Sequence, residues 1–142
     1  MTNSKDLLTS VLHTVQMGQT GIRAVSESAI KADLQKELDR QLKEYDTIEK
    51  DALHLAKIRG WDLSNVNPMV RQMSKIMSQI RLIGGDADSK IAGMLIQGNT
   101  RGIILGVKNL NRYDQNDEQI THLAQSLLNK ENINIQNTQP YL

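Results

Sequence analysis

Apolar side chains recur at steps of three and four residues through four long stretches of this chain. That period is typical of an α-helix with one buried face, whereas a half-buried strand alternates every two residues. The stretches cover about residues 4–28, 32–59, 86–113 and 116–138. With no Phe, one Trp and three Tyr, the chain suits helix packing better than a β-sandwich. The pattern therefore predicts an all-α fold.

Three of the stretches carry a clear inward stripe, which we expect to form the core of a bundle. The second stretch is the clearest, because its other side carries interspersed charges of both signs. The predicted stripes are Leu8, Val11, Leu12, Val15, Gln19 and Ile22; Leu34, Leu38, Leu42, Tyr45, Ile48, Ala52, Leu55 and Ala56; and Ile120, Leu123, Ala124, Leu127, Glu131 and Asn134.

Helix boundaries are marked by capping signals. Gly60 follows two basic residues and predicts the end of the second helix. We expect Asp86 or Asp88 to cap the third helix, and Asn116 with Gln119 to form a capping box for the fourth.

The segment between the second and third helices is long enough to return along the whole bundle. A helix of about 28 residues is about 42 Å long. We predict a shorter helix inside this segment, begun by Asn67 and Pro68 and ended by Gly84-Gly85. Its Met69, Met73 and Met77 stripe is typical of core filling, with an adaptable partner groove as the alternative.

This layout predicts that the second and third helices run parallel. We therefore expect one domain over residues 1–142, a ferritin-like four-helix bundle with a long crossover carrying a short extra helix.

Composition excludes several classes of function. A formal net charge of +1, with 17 basic and 16 acidic residues, gives no electrostatic footprint for nucleic acid. The absence of Cys excludes disulfides, thiolate metal sites and cysteine nucleophiles. We see neither a signal peptide nor an apolar run of the roughly 20 residues that a bilayer requires, and expect a cytoplasmic protein.

A di-metal bundle needs about four carboxylates and two histidines that converge on its core. Here the inward positions carry other residues, namely Gln19, Tyr45, Ile48, Gly98 and Asn134. The helical period turns His13, His54 and His122 away from the predicted core, so we interpret them as surface residues. We therefore predict no catalytic, cofactor-binding or metal site; Glu131 and Glu49 are the weak candidates for a remnant ion site.

Glu131 and Asn134 nevertheless fall on the inward stripe of the fourth helix. A buried glutamate is costly unless it is paired. We expect a buried polar network that sets the helix register, in which Arg101 and Gln19 are partners of Glu131 and Asn134.

The third helix carries a ridge of glycines. Gly98, Gly102 and Gly106 recur every four residues, and each costs about 1 kcal/mol relative to Ala in a helix interior. We therefore predict a close approach of another backbone, with Gly18 and Gly21 as the facing residues. A second apolar face, formed by Ile96, Ile103, Val107 and Leu110, predicts a helix buried in the bundle or at a dimer interface.

Two segments resemble known families. The segment from the first helix through KIRGW at residues 57–61 resembles the CotF-type spore-coat family of Gram-positive spore formers. MLIQGNTRG at residues 94–102, with Glu131, resembles helices three and four of uncharacterised bacterial ferritin-like domains. The resemblance implies a ferritin-like fold and a role in spore or cell-surface assembly, and so a cytoplasmic or spore-associated location. Members with a complete site carry a glutamate where this chain has Gln97, Gly98 and Asn99, so ferroxidase activity is not implied.

Three functions follow as hypotheses. The first is a non-catalytic structural or interaction protein that self-associates, as a homodimer. The second is a ferritin-like protein that stores or oxidises iron or manganese at an atypical site. The third is a small-molecule binder that uses the methionine stripe of the crossover.

Overall fold

A computed structural model describes residues 1–63 and 86–142, and this part of the chain is helical. The four α-helices are α1 (Ser4–Val25), α2 (Ala32–Ile58), α3 (Ala87–Arg112) and α4 (Glu118–Thr138), with short 3₁₀ turns at Ser26–Ser28 and Gln139–Tyr141. They pack together, which confirms the predicted all-α arrangement of four helices. No strand occurs in the described ranges, where the only bridge outside the helices joins Thr2 to Tyr113.

The ends of α1 and α2 follow from local chemistry. Asn3 begins α1, because its side chain accepts a hydrogen bond from the backbone N–H of Asp6. Gly60 has a positive φ of 73° and ends α2 as predicted. Its N–H donates to Lys57 and that of Trp61 donates to Ala56, which is the Schellman arrangement.

The capping predictions for the last two helices need correction. Asp117, rather than Asn116, caps α4 by accepting a hydrogen bond from the N–H of Ile120. Gln119 instead accepts a hydrogen bond from the guanidinium of Arg59. Asp86 precedes α3 but makes no capping bond with its side chain.

The contacts of Asp88 show the relative direction of α2 and α3. Its carboxylate accepts hydrogen bonds from the N–H groups of Ile30 and Lys31, just before α2 begins, at 2.7 and 3.0 Å. The favourable position of an anion at a helix N-terminus explains the contact. Asp88 therefore joins the starting ends of α2 and α3, so the two helices point the same way.

Contacts at the other end complete the topology. Arg59, at the end of α2, forms an ion pair with Asp117 at the start of α4, and Thr2 donates a backbone hydrogen bond to Arg112 at the end of α3. The chain therefore leaves α2 at one end of the bundle and enters α3 at the other.

The predicted stripes of α1, α2 and α4 form the core. All their members are buried except Leu42, which is half-buried. The buried positions also include several polar residues, namely Gln19, Thr20, Gln41, Asn99, Glu131, Asn134 and Thr138.

Helix α3 contributes less to the core than its apolar sequence predicts. Only Ile91, Ala92 and Asn99 are fully buried in it. Val107, on the face predicted to be buried in the bundle or at a dimer interface, is 42% exposed in the single chain, and Ile104 is 53% exposed. The side that α3 turns to α4 carries glycines, so its larger apolar side chains lie on other sides.

The predicted crossover helix, with its Met69, Met73 and Met77 stripe, lies outside the described residues. Within those residues, no helix is both long enough and apolar enough to cross a bilayer.

Candidate functional site

The candidate site is a cavity between α1 and α3, with residues of α2 and α4 at its floor. Its volume is about 580 Å³, which falls in the range of about 300–1,000 Å³ for small-molecule pockets. Gly98 and Arg101 are exposed and mark its solvent side. The lining residues are His13, Thr14, Met17, Gly18, Gly21, Ile22 and Val25 of α1, Gln41 and Tyr45 of α2, Met94, Leu95, Gln97, Gly98, Asn99, Arg101, Gly102 and Leu105 of α3, and Glu131 of α4.

Among the described residues, Glu131 supplies the only carboxyl group that lines this cavity. The residue is 2% exposed, and its Oε2 atom has no hydrogen-bond partner in the described part of the chain. Loss of hydration on burial raises the pKa of this carboxyl to about 8. The side chain is therefore mostly protonated at neutral pH while it has no partner.

Glycine at position 102 makes room for that carboxyl group. A Cβ atom there would lie 2.5 Å from Oε2 and 2.7 Å from Oε1 of Glu131. The glycine ridge thus has a physical role, but its partner is a side chain of α4 and not the backbone of α1.

The other glycines also depart from the predicted close approach of two backbones. Gly18 packs against the ring of Tyr45, and Gly106 packs against the side chain of Leu128. A Cβ atom at Gly21 or Gly98 would meet nothing of the described chain within 4 Å, and both glycines line the cavity. Within the ridge, Gly102 and Gly106 therefore pack against side chains of α4, whereas Gly98 is an open position at the cavity.

The predicted polar network has different partners in the structure. Gln19 is buried, but it donates to Asp46 at 2.8 Å and to Glu49 at 3.3 Å. Arg101 is exposed and pairs with no carboxylate among the described residues. The prediction that these two residues stabilise Glu131 was therefore wrong.

Asn134, one turn beyond Glu131, does join a network. Its Oδ1 accepts a hydrogen bond from Arg40, and its Nδ2 donates to the hydroxyl of Tyr45 at 3.4 Å. That hydroxyl donates in turn to Asn99 at 3.0 Å. Burial raises the pKa of Tyr45, and the carboxylate of Glu131, once ionised at high pH, raises it further, so the hydroxyl stays a donor.

A second branch links Gln41 to the hydroxyl of Thr138, which donates to the carbonyl of Asn134. Sequence reasoning missed Gln41, Asn99 and Thr138. The helical period was a usable signal for Gln41, which is seven residues after Leu34 and four before Tyr45.

The described residues offer no donor set for iron or manganese. Within residues 1–63 and 86–142, no three His, Asp or Glu side chains are placed to hold a metal ion. His13, His54 and His122 are exposed, as predicted. Glu49 is half-buried, accepts hydrogen bonds from Gln16 and Gln19, and does not line the cavity of Glu131.

Comparison of the chain with family models, curated proteins and solved structures finds no match.

Proposed function

We propose that this chain is a non-catalytic binding protein of ferritin-like topology that holds a small organic molecule between α1 and α3. The observation that carries the proposal is the cavity of about 580 Å³ with the unpartnered Oε2 of Glu131 at its floor, as the described residues define it. A largely apolar pocket with a few convergent polar groups and a perturbed pKa is the usual signature of a ligand site.

The topology supports the ferritin-like part of the proposal. Helices α2 and α3 begin at the same end, so the chain leaves α2 at one end of the bundle and enters α3 at the other, as in single-crossover bundles. Bundles of this kind place their sites in the core between facing helices. Among the described residues, the cavity in this region is lined by the carboxyl group of Glu131, the phenol of Tyr45 and three side-chain amides.

The test compares ligand binding with a filled cavity. The probes are 4-phenylbutylamine, 4-phenylbutanol and 4-phenylbutanoate, which share one apolar body and differ in their polar end. We expect at least one of them to bind, as measured by calorimetry and ligand-observed NMR. Gly98→Leu places a side chain at an open position of the cavity and should weaken that binding at least tenfold.

Thr100→Leu adds the same side chain to an exposed position of α3 that does not line the cavity, and should leave binding unchanged. The proposal fails if none of the three probes binds at millimolar concentration. It also fails if the two leucine variants bind equally well.

The exposed apolar side of α3 favours self-association as a second function. Ile104, Leu105 and Val107 are 53%, 43% and 42% exposed. Ile104 and Val107, three residues apart, share one side of the helix, and exposed apolar side chains grouped in this way are typical of interaction surfaces. A structural role as a homodimer, in a spore coat or another assembly, would use this face. Sedimentation should then show a dimer that Ile104→Glu dissociates, whereas a compact monomer at high micromolar concentration would contradict this role.

A further inference from the structure

The cavity combines one buried acid with a mainly apolar wall. Met17, Ile22, Val25, Met94, Leu95 and Leu105 belong to the apolar lining. A ligand that fills this space therefore needs an apolar body, and it gains free energy from burial of that body.

The polar requirement of the site comes from Glu131. Its Oε2 atom is shielded from solvent and has no donor among the described residues, although buried polar atoms in proteins are almost always hydrogen-bonded. Tyr45 and Asn99, polar groups of the lining on α2 and α3, are engaged with each other. In the part of the chain that the structure describes, Oε2 is therefore open to a donor on a molecule that enters the cavity.

No cation within residues 1–63 and 86–142 supplies it. Lys130, next to Glu131 in sequence, contacts Glu44 instead, and Arg40 is held by Glu37 and Glu44. Arg101 lines the cavity, but its side chain is exposed and forms no ion pair with a described residue. In this part of the chain, Oε2 therefore lacks a donor and the carboxyl lacks an opposite charge.

Resting on the function proposed above, we infer that the ligand is an apolar organic amine whose ammonium group binds the carboxylate of Glu131. A charge-assisted hydrogen bond is roughly twice as strong as a neutral one. An ammonium group supplies the donor and the opposite charge together, whereas an alcohol supplies only the donor.

Binding of an ammonium group also moves a proton. At pH 7 the carboxyl of the unliganded protein carries a proton, because burial raises its pKa to about 8. The ligand enters as R–NH₃⁺, the carboxyl ionises, and its proton leaves to the buffer. The other titratable groups of the lining are His13 on α1, Tyr45 on α2 and Arg101 on α3.

The matched probes separate this inference from the broader proposal. We expect 4-phenylbutylamine to bind at least tenfold more tightly than 4-phenylbutanol, and 4-phenylbutanoate to bind most weakly. Calorimetry at pH 7 in phosphate and in Tris should show release of nearly one proton with the amine and of none with the alcohol.

Two variants test whether Glu131 causes the preference for the amine and the proton release. Glu131→Gln keeps the shape of the side chain, so it should remove the preference for the amine and the proton release. Glu118→Gln makes the same substitution at an exposed position of α4 and should change neither. Circular dichroism verifies that both variants keep the native helix content.

Equal binding of the amine and the alcohol would overturn the inference while leaving a ligand cavity in place. Preferred binding of the carboxylate would also overturn it, and would point to Arg101 as the charged contact. Failure of all three probes would overturn the function and the inference together.

Discussion

Glu131 and Asn134 lie one turn apart on α4, and both are almost fully buried, at 2% and 1% exposed. The two side chains differ in their hydrogen-bond partners. Asn134 contacts Arg40 and Tyr45, so its amide is hydrogen-bonded on both sides. Glu131 leaves its Oε2 without any partner among the described residues.

The difference separates a structural polar group from a candidate binding group. A buried group whose hydrogen bonds are satisfied within the fold helps to fix helix register, and the chain gains nothing more from a ligand. A buried group with an open hydrogen-bonding position lowers the stability of the empty protein. A ligand that forms the missing hydrogen bond would offset this loss of stability.

The largest expected effect is a pH dependence of the free energy of unfolding. The carboxyl of Glu131 causes it, whereas the amide of Asn134 does not ionise and contributes nothing to it. The pKa of Glu131 is about 8 in the folded chain, against an ordinary value of 4.5. The folded state therefore holds the proton more tightly. This contribution to stability is complete below about pH 4.5 and is lost as the pH rises through about 8. Each pKa unit is worth about 1.4 kcal/mol, so roughly 3–5 kcal/mol is at stake.

Urea unfolding from pH 5 to pH 9 measures this loss. Glu131→Gln should remove most of the pH dependence, and Glu118→Gln, an exposed control on the same helix, should retain it. If the native chain and Glu131→Gln lose equal stability between these pH values, Glu131 is not the buried acid described above.

The next largest effect should come from Asn134→Ala, which removes an acceptor from Arg40 and a donor from Tyr45. We expect a loss of about 1–3 kcal/mol, because buried polar partners are left unsatisfied. The loss should be similar at pH 6 and pH 9. Gln136→Ala, which removes an amide from an exposed position two residues away, is the control. Equal stabilities of the two alanine variants would show that the network contributes little.

The glycines beside the cavity offer a matched pair on α3. Gly98→Ala adds a Cβ atom that meets nothing of the described chain within 4 Å, and should stabilise the protein by about 0.5–1 kcal/mol through helix propensity. Gly102→Ala adds one that overlaps the carboxyl of Glu131, which has to shift, so this variant should be about 1–2 kcal/mol less stable than Gly98→Ala. Thermal unfolding at pH 6 ranks the two variants. Equal stabilities, or a more stable Gly102→Ala, would mean that Glu131 does not lie against Gly102.

The smallest expected effect is that of Arg101→Gln. Because Arg101 is exposed and makes no ion pair with Glu131, stability should change by less than about 0.5 kcal/mol. The pH dependence caused by Glu131 should also persist. A clear loss of stability that grows with pH would instead restore the predicted pairing of these two residues.

The sequence predicted which residues of α4 face inward, because the helical period alone assigns Glu131 and Asn134 to the buried stripe. It also predicted the end of α2 at Gly60, since that signal is local. Partners across helices were harder to predict. The helical period gives the buried face of a helix but not its axial register against a neighbouring helix. Gln19 was therefore predicted to be a partner of Glu131, although it contacts Asp46.

The cavity itself could not be read from the sequence. Glycines at positions 98 and 102 look alike in a periodic pattern, yet one is open and the other is filled by a carboxyl group. That distinction depends on the spacing of α1, α3 and α4. The apolar face of α3 was recognised, but its exposure depends on the same spacing.

The titration of the Glu131 carboxyl most directly tests whether this residue is a buried acid that awaits a cationic ligand. Carboxyl ¹³C NMR, assigned with Glu131→Gln, gives its midpoint with and without saturating 4-phenylbutylamine. We predict a midpoint near pH 8 for the free protein, which the amine moves below pH 7. A midpoint near 4.5 in the free protein, or one that the amine leaves in place, would contradict this account.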